Sequence, residues 1–403
     1  MARSAHAFVR GSTKQFYEWV GTTAGGQIPQ GPSVWICGDC HIGNLGPIGH
    51  VEGKAVVEMR DLDQSVIGNP AHDVVRLALS LAMAARSSDL PGVTTARLTE
   101  DLVAGYERAF EGEVASEDVA DLPPPIRLVM KRAVKRTWKR LFDERIGGKR
   151  NTIPLGQRFW PLSEEERTAV RALTALDGIR ALIAKLEDRD DRTTLKFRDA
   201  AFWVKGCSSL GLWRVALLVE LRDRSKKGKD GTSLALLDIK QAIEPSAPWG
   251  GDGNPGFEPA ERVLTGARKL APALGARMLA TRVLDRSVFV RELLPQDLKV
   301  ELDELETDEA RAVAFYLGKV VGRAHRRQMD AAATASWTKE MASHRTKNLD
   351  APSWLWQALT QLVAQHEFAY LEHCRRYALA ADRLARPQAA EELTPAALAA
   401  QAE

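Results

Sequence analysis

The sequence predicts an α+β protein with two lobes, because helical patterns fill both ends of the chain and strand patterns are concentrated in its middle. The chain has 403 residues, of which 45% are hydrophobic and 27% charged, so it can bury a core large enough for two lobes. We expect residues 191–300 to form a small antiparallel sheet lobe. Residues 1–190 and 301–403 would then form two parts of one larger helical lobe.

The first part of the chain is predicted to be mainly helical, with one short strand at 55–59. Helical periodicity predicts helices at 73–86, 97–111 and 126–142, and from 164 to about 187. The last of these opens with a capping box formed by Ser163 and Glu166. The helix at 126–142 carries a dense set of basic residues. A solvated face explains this set most simply, and a site for phosphate or an acidic partner is the alternative.

The middle of the chain contains the strongest strand patterns. Apolar runs predict strands at 201–204, 212–221, 234–240 and 288–293, and a helix is expected at 259–270. A glycine-containing turn at 206–211 separates the first two strands, and a loop rich in proline and glycine spans 245–256. From residue 308 onward the pattern is helical, and the alanine-rich end after Arg386 is expected to fray.

Charge and composition favour a cytoplasmic enzyme without an obligatory nucleic-acid or membrane partner. The net charge of +3 is close to neutral, whereas nucleic-acid binding usually requires a strongly basic face. The first residues lack the apolar core of a signal peptide, and no stretch approaches the length of a membrane span.

The four cysteines do not suggest a disulfide framework in a chain of this size. Cys37, Cys40 and His41 match the C-x-x-C-H pattern of haem attachment, and Trp35 gives the segment a likeness to thioredoxin-type redox sites. Covalent haem normally requires export, and a zinc site would need a second cysteine pair. We therefore expect neither haem, redox chemistry nor zinc at this segment.

Asp39 and Asn44 have the D-x-x-x-x-N spacing of a kinase catalytic loop. In such a loop the aspartate orients the hydroxyl of the acceptor, while the asparagine binds a metal ion on the nucleotide phosphates. Asp61 follows the strand at 55–59 and is the candidate for the second metal ligand, with Asp63 beside it. His41 is expected to brace the loop by hydrogen bonds rather than act as a base.

Three consecutive motifs resemble the pattern of the aminoglycoside and choline phosphotransferases, which is G-D-x-H-x-x-N, I-D-W-x-D and G-x-P-x-x-D-L-A. Here they begin at Gly38, Asp61 and Gly68. The resemblance implies that Asp39 is the catalytic carboxylate, that Asn44 and Asp61 hold the metal, and that Asp73 is a structural carboxylate at the start of the next helix. Arg60 departs from the apolar residue that usually precedes the metal-binding aspartate.

The nucleotide lobe of a kinase normally precedes the catalytic loop, but only 38 residues precede Asp39. We therefore expect it downstream, with a phosphate-binding turn and a strand lysine that pairs with a helix glutamate. The predicted nucleotide-binding residues are Gly206, Ser208, Ser209, Gly211, Lys240, Glu261, Arg291 and Glu292. Glu258 is the alternative partner for Lys240, and the strand at 288–293 would supply backbone groups that meet the adenine.

The segment 317–325 resembles the L-G-x-x-L-A-x-L-H helix that precedes the catalytic loop in phosphotransferases, although here it comes near the end of the chain. The order is that of a circular permutation, with the old ends joined through residues 74–200. The chain also resembles the uncharacterised bacterial family DUF2252, which has an F-x-R-G start, a D-F-D motif, a G-x-G-S-x-G loop and a K-E-A strand. Leu62, Ser208 and Gln241 depart from that pattern.

These motifs predict a kinase-like phosphotransferase that uses ATP and Mg²⁺ and moves the γ-phosphoryl group to a hydroxyl or amine acceptor of unknown identity. A nucleotide-binding pseudokinase and a nucleotidyl transferase on the same fold are alternatives. A two-metal phosphoesterase also uses a G-D-x-H element, but its usual D-x-H and G-N-H partners are absent from the sequence. The kinase-like hypothesis requires Lys240 to lie within ~10 Å of Asp61 and His325 to pack beside the Gly38–Asn44 loop.

Overall fold

The computed structural model describes residues 4–22, 25–52, 54–88, 92–112, 121–146, 152–185, 189, 193–205, 211–223, 232–251, 253–298, 305–343, 345–346 and 349–385. Its helices are α1 (Ala5–Val9), α2 (Thr13–Val20), α3 (Pro70–Ser87), α4 (Gly92–Arg108), α5 (Pro124–Lys135), α6 (Trp138–Ile146), α7 (Glu164–Leu173), α8 (Asp177–Ala184), α9 (Pro259–Leu270), α10 (Pro272–Gly275), α11 (Thr307–Arg326), α12 (Ala331–Ser343) and α13 (Ser353–Ala385).

The strands are short near the amino terminus and long in the middle of the chain. They are β1 (Val34–Ile36), β2 (Leu45–Gly49), β3 (Ala55–Met59), β4 (Val66–Gly68), β5 (Phe159–Trp160), β6 (Thr193–Trp203), β7 (Arg214–Asp223), β8 (Thr232–Gln241), β9 (Met278–Val283), β10 (Arg286–Glu292), β11 (Arg345–Thr346) and β12 (Leu349–Pro352). The protein is therefore a mixed α+β structure, as predicted.

A six-stranded antiparallel sheet lies at the centre of the chain, with strand order β5-β6-β7-β8-β10-β9. Alternate side chains of its long strands point to opposite faces. One face packs on α7 and α8 through residues such as Val170 and Ile179. The other face packs on α6 through Leu141 and Phe142. The sheet therefore has apolar cover on both sides.

The larger core is helical and surrounds α3. This helix is buried along almost its whole length, because α1, α4, α11, α13 and β1 all pack against it. α11 crosses α4 closely at Gly318, where a Cβ atom would lie only 2.1 Å from the carbonyl oxygen of Leu102. Only glycine allows this approach. Within the described residues, none of the helices combines the length and apolar character needed to cross a bilayer.

Several predicted elements are confirmed, and two helices need correction. β3 and α9 have the predicted bounds, and the capping box at Ser163 is present. The helix predicted to run from 164 to about 187 is wrong in its length, because the chain leaves the helix after Leu173 and restarts as α8.

The helix predicted at 126–142 is also interrupted, between α5 and α6. Arg136 adopts an extended backbone there and is only 8% exposed. Its guanidinium donates to the carbonyl of Pro295 at 3.1 Å and pairs with Glu144. The hydrogen bond from buried Arg136 to the distant loop at Pro295 explains why the helix breaks here, although the local sequence pattern does not predict a break. The predicted fraying after Arg386 falls outside the described residues.

Candidate functional site

The loop between β1 and β2 is held by the carboxylate of Asp73. The backbone N–H groups of Cys37 and Gly38 donate to the two Asp73 oxygens at 2.7 and 3.0 Å. Asp73 lies in the first turn of α3, whose N-cap is Asn69. Gly38 has a φ of +74°, and a Cβ there would lie 2.2 Å from the carbonyl oxygen of Gln64. This position therefore requires glycine.

The helix that contains His325 packs beside this loop, as the hypothesis of a circular permutation predicts. His325 is fully buried, and its Nε2 lies 3.2 Å from Asp73 Oδ2. Its Nδ1 lies 3.0 Å from the hydroxyl of Tyr106, which accepts a hydrogen bond from Trp337 Nε1 at 3.1 Å. A buried chain of polar side chains thus runs from α12 to the loop, and Asp73 serves as a structural carboxylate.

Asn44 connects the loop to Asp61. Its Nδ2 donates to the carbonyl of Asp61 at 2.6 Å, and its Oδ1 accepts the N–H groups of Asp61 at 2.6 Å and Arg60 at 3.2 Å. The amide is 3% exposed. Its oxygen already accepts two hydrogen bonds, so the predicted metal-ligand role requires at least one of them to open. That role stays a prediction.

Arg76 is a site residue that the motifs did not indicate. It lies on α3, is 1% exposed, and donates to Asp39 Oδ1 from Nε at 3.3 Å and from Nη2 at 3.0 Å. The same guanidinium donates to Ser12 Oγ and to the carbonyl of Val9. Arg76 therefore joins the predicted catalytic carboxylate to the first two helices. The sequence signal that could have identified Arg76 is its position as an arginine within the apolar pattern of residues 74–85.

Lys240 lies beside Asp61, as the kinase-like hypothesis requires. Its Nζ is 3.5 Å from Asp61 Oδ1 and also forms an ion pair with Asp63 Oδ2. The Lys240 side chain is 4% exposed, whereas that of Asp61 is 59% exposed. Desolvation of the side of the Asp61 carboxyl that faces the protein opposes its ionisation, but Lys240, Arg291 and Arg214 hold its pKa well below the ordinary value. Asp61 is therefore a carboxylate at neutral pH, with one side open to solvent.

The predicted pairing of Lys240 with Glu261 is wrong. Glu261 lies exposed in the first turn of α9, whereas Lys240 pairs with the two aspartates. The neighbouring Arg262 faces inward instead. It donates to the carbonyl of Asp63 at 2.7 Å and also to that of Ser65. α9 thus docks on the Asp61–Ser65 loop through an arginine. The alternative partner, Glu258, pairs with Arg282 at 3.1 Å.

Arg291 and Glu292 lie on β10 and are engaged within the protein. Arg291 donates to Asp238 at 3.1 Å and to the carbonyl of Arg60 at 2.9 Å. Glu292 is 2% exposed and accepts two hydrogen bonds from Arg189. β10 is an interior strand between β8 and β9, so its backbone groups are taken up by the sheet. The pairing leaves no free backbone edge at Arg291 for adenine.

The predicted phosphate-binding turn falls mostly outside the described residues, including Gly206, Ser208 and Ser209. Gly211 is described and has a φ of +94° in the turn before β7. On the other side of the turn, Lys205 Nζ lies 4.2 Å from the centroid of the Trp203 ring. Burial lowers the pKa of Lys205 to about 6.

Cys37 and Cys40 are free thiols in the core of the loop. Both are buried, and Asn44 Nδ2 lies 3.3 Å from Cys37 Sγ. The hydrogen bond between the thiols and burial together raise the pKa of Cys37. Within the described ranges, no three His, Cys, Asp or Glu side chains are grouped as metal ligands. In the structure Cys37 and Cys40 pack in the core of the loop.

His41 should make stability depend on pH. It is 6% exposed, and burial lowers its pKa from 6.5 to about 4. Between these values the unfolded chain binds a proton at His41 that the folded protein does not, so acid favours unfolding. We expect His41 to subtract about 3 kcal/mol of unfolding free energy as the pH falls from 7 to 4.

Urea denaturation at several pH values, on the wild type and His41→Gln, would measure this effect. The wild type should lose stability relative to the variant as the pH falls, whereas His50→Gln, in the half-buried turn after β2, serves as the matched histidine control. Parallel stability curves for the wild type and His41→Gln between pH 7 and 4 would show that His41 does not resist protonation in the folded protein.

The family comparison covers most of the chain. The model of the DUF2252 family, described as an uncharacterized protein conserved in bacteria, matches residues 1–376. No curated protein and no solved structure matches the chain significantly. The sequence resemblance to DUF2252 is thereby confirmed.

Proposed function

The chain belongs to the bacterial DUF2252 family, and on the geometry of its own site we propose that it is an ATP- and Mg²⁺-dependent phosphotransferase with a circularly permuted, kinase-like fold. The acceptor would be a hydroxyl or amine compound. The observation that carries the proposal is the contact of Lys240 with Asp61 and Asp63. These residues lie about 180 positions apart in the chain and meet beside the loop of Asp39.

The two aspartates fit a divalent cation. Among the residues that the structure describes, Asp63 Oδ1 is buried and has no hydrogen-bond partner, and the Asp61 side chain is 59% exposed. Mg²⁺ is usually bound by one or two carboxylates, with water and substrate phosphates completing its coordination. Asp61 and Asp63 would hold it, and Asn44 would join them if its amide were released from Asp61. When bound, the ion would neutralise charge on the phosphates.

The other side chains divide the remaining tasks. Lys240 supplies a buried positive charge that can turn from the aspartates to a phosphate. Asp39 has Oδ1 held by Arg76, while Oδ2 lies 3.8 Å from His41 Nε2. Oδ2 is therefore the oxygen available to orient an acceptor hydroxyl. Burial lowers the pKa of His41 to about 4, so it is neutral near pH 7 and braces the loop without competing for that proton.

A nucleotide-binding protein without turnover is the second candidate. It is favoured by Asn44, whose amide oxygen already accepts two N–H groups and is not free for a metal. Incubation with ATP and Mg²⁺, followed by mass spectrometry of the protein and of added metabolite extract, separates the possibilities. Added phosphoryl groups support the phosphotransferase, and added AMP supports a nucleotidyl transferase. Mg-ATP binding with neither product supports the second candidate.

Lys240→Met and Asp61→Asn are each expected to weaken Mg-ATP binding by about tenfold or more. Each change removes a charge that faces the phosphates or the metal, and a charge-assisted hydrogen bond contributes about 1.5–3 kcal/mol. Isothermal titration calorimetry with Mg-ATP measures the affinity. Lys14→Met, at an 82% exposed lysine on α2, is the matched control and should bind as the wild type does. Unchanged affinity in both site variants would contradict the nucleotide site.

A further inference from the structure

Arg10 is a cation near the site that the proposed reaction has not used. It belongs to the F-x-R-G segment and follows α1 as its C-cap. The residue is half-buried, and within the described part of the chain its guanidinium has neither an ion-pair nor a hydrogen-bond partner. A half-buried guanidinium without an anion is costly, because it loses hydration without compensation.

The Arg10 side chain lies against the catalytic loop. Its Cδ is 3.9 Å from the position that a Cβ at Gly43 would occupy, and His41 Cε1 is 3.2 Å from the same position. Arg10 is also among the cations that, after burial, lower the pKa of His41. His41 Nε2 also lies 3.8 Å from Asp39 Oδ2, so the His41 ring is near both the Arg10 side chain and this oxygen of Asp39.

The cations around the site fall into two groups. Lys240, Arg291 and Arg214 act on Asp61, whereas Arg76 and Arg10 act on His41. Arg76 is not available to a ligand, because its guanidinium already donates hydrogen bonds within the protein. The acceptors are Asp39, Ser12, Thr13 and the carbonyl of Val9. Of these two cations, Arg10 is therefore the one that remains available to a ligand at the loop near His41.

We propose that Arg10 binds an anionic group of the acceptor, so that the acceptor carries a carboxylate or phosphate as well as the hydroxyl that Asp39 orients. The inference rests on the proposed function and names its substrate class. A guanidinium presents paired donors that match a carboxylate or phosphate. In the transfer, the acceptor oxygen bonds to the γ-phosphorus, the bond from this phosphorus to the β,γ-bridging oxygen breaks, ADP leaves, and the hydroxyl proton passes to Asp39. Polycationic acceptors such as aminoglycosides are then disfavoured.

The test measures anion binding directly, with nucleotide present. Protein labelled with ¹⁵N and saturated with Mg-ADP is titrated with inorganic phosphate and, separately, with acetate, while the arginine Nε–H resonances are followed by NMR. We expect a resonance that is missing in Arg10→Gln to shift in the wild type. We also expect the Kd for the preferred anion to rise about tenfold or more in that variant. Arg97→Gln, at an exposed arginine on α4, is the matched control.

The outcomes separate this inference from the proposed function. Tighter binding of phosphate or of acetate identifies which anionic group the acceptor carries. Equal anion affinity in the wild type and Arg10→Gln, or no anion binding in the wild type, overturns the role of Arg10 while Mg-ATP binding still stands. A loss of Mg-ATP affinity in Arg10→Gln assigns the arginine to the nucleotide and also overturns it. Failure of the wild type to bind Mg-ATP would overturn the proposed function itself.

Discussion

Asp39→Asn is expected to lower phosphoryl transfer by about 10²–10⁴-fold while Mg-ATP binding changes little. The asparagine has the same size and keeps an oxygen that can accept from Arg76, which now holds Asp39 Oδ1 at 3.0 Å. It cannot, however, take the acceptor proton. Transfer is measured with labelled ATP, and nucleotide affinity and urea stability are measured on the same preparation.

Asp143→Asn gives the matched control, because Asp143 is an exposed aspartate on α6. This variant should transfer phosphoryl groups at the wild-type rate. If Asp39→Asn retained turnover within a few-fold of the wild type, Asp39 would not be the catalytic carboxylate. If Asp39→Asn lost both Mg-ATP binding and stability, the lower transfer rate would reflect a disturbed loop and not the loss of proton transfer to Asp39.

Asp73→Ala is expected to lower the free energy of unfolding by about 3–5 kcal/mol, the largest structural effect at the site. The Asp73 carboxylate is fully buried, accepts the N–H groups of Cys37 and Gly38, and pairs with His325. Its removal leaves three buried donors without a partner. Urea denaturation followed by tryptophan fluorescence measures the loss.

Asp177→Ala tests whether the effect comes from the buried contacts of Asp73 and not from its favourable position near a helix N-terminus alone. Asp177 also lies in the first turn of a helix, but its side chain is 99% exposed. Its loss should cost no more than about 1 kcal/mol, the size of a helix-dipole contribution at the surface. Similar losses in Asp73→Ala and Asp177→Ala would contradict the role of the buried carboxylate.

The motif spacing predicted the contacts that join distant parts of the site. The order of the motifs implied that the helix of His325 lies beside the Gly38–Asn44 loop and that Lys240 faces Asp61. In the structure His325 and Gly38 bind the same Asp73 carboxylate, and Lys240 contacts Asp61. Such inferences succeed because a motif encodes a set of contacts and not only a local conformation. The sequence alone also located β3 and α9, whose apolar periods are regular.

The predicted pairing of Lys240 with Glu261 was wrong because it followed from the order of the elements along the chain and ignored which face of α9 carries Glu261. The buried stripe of α9 includes Ala260, Val263, Leu264 and Ala267, and Glu261 lies outside it at 100° per residue. The spacing of the apolar residues along α9 was therefore enough to show that Glu261 faces away from the core. The break at Arg136 could not have been found in the same way, because its partner Pro295 is 159 residues away.

Arg76 shows a second limit of local patterns. A buried arginine is stable only when its charge and donors find partners, and here those partners come from Asp39 and from the first two helices. Its position within an apolar helix marked it as unusual. The sequence did not reveal which acceptors it would meet, because these acceptors lie between 37 and 67 residues away along the chain.

The distance along the chain between Asp73 and His325, 252 residues, has a consequence for synthesis. The ribosome releases the loop between β1 and β2 early, but Lys240 and the helix of His325 emerge only after more than half of the chain has been made. Contacts of such long sequence separation form slowly, and until α11 and α13 have emerged the faces of α3 that they cover expose apolar surface. The site is therefore completed after translation has passed α11. A nascent chain that stops earlier carries the loop between β1 and β2 and Asp73, but lacks the His325 that contacts the Asp73 carboxylate.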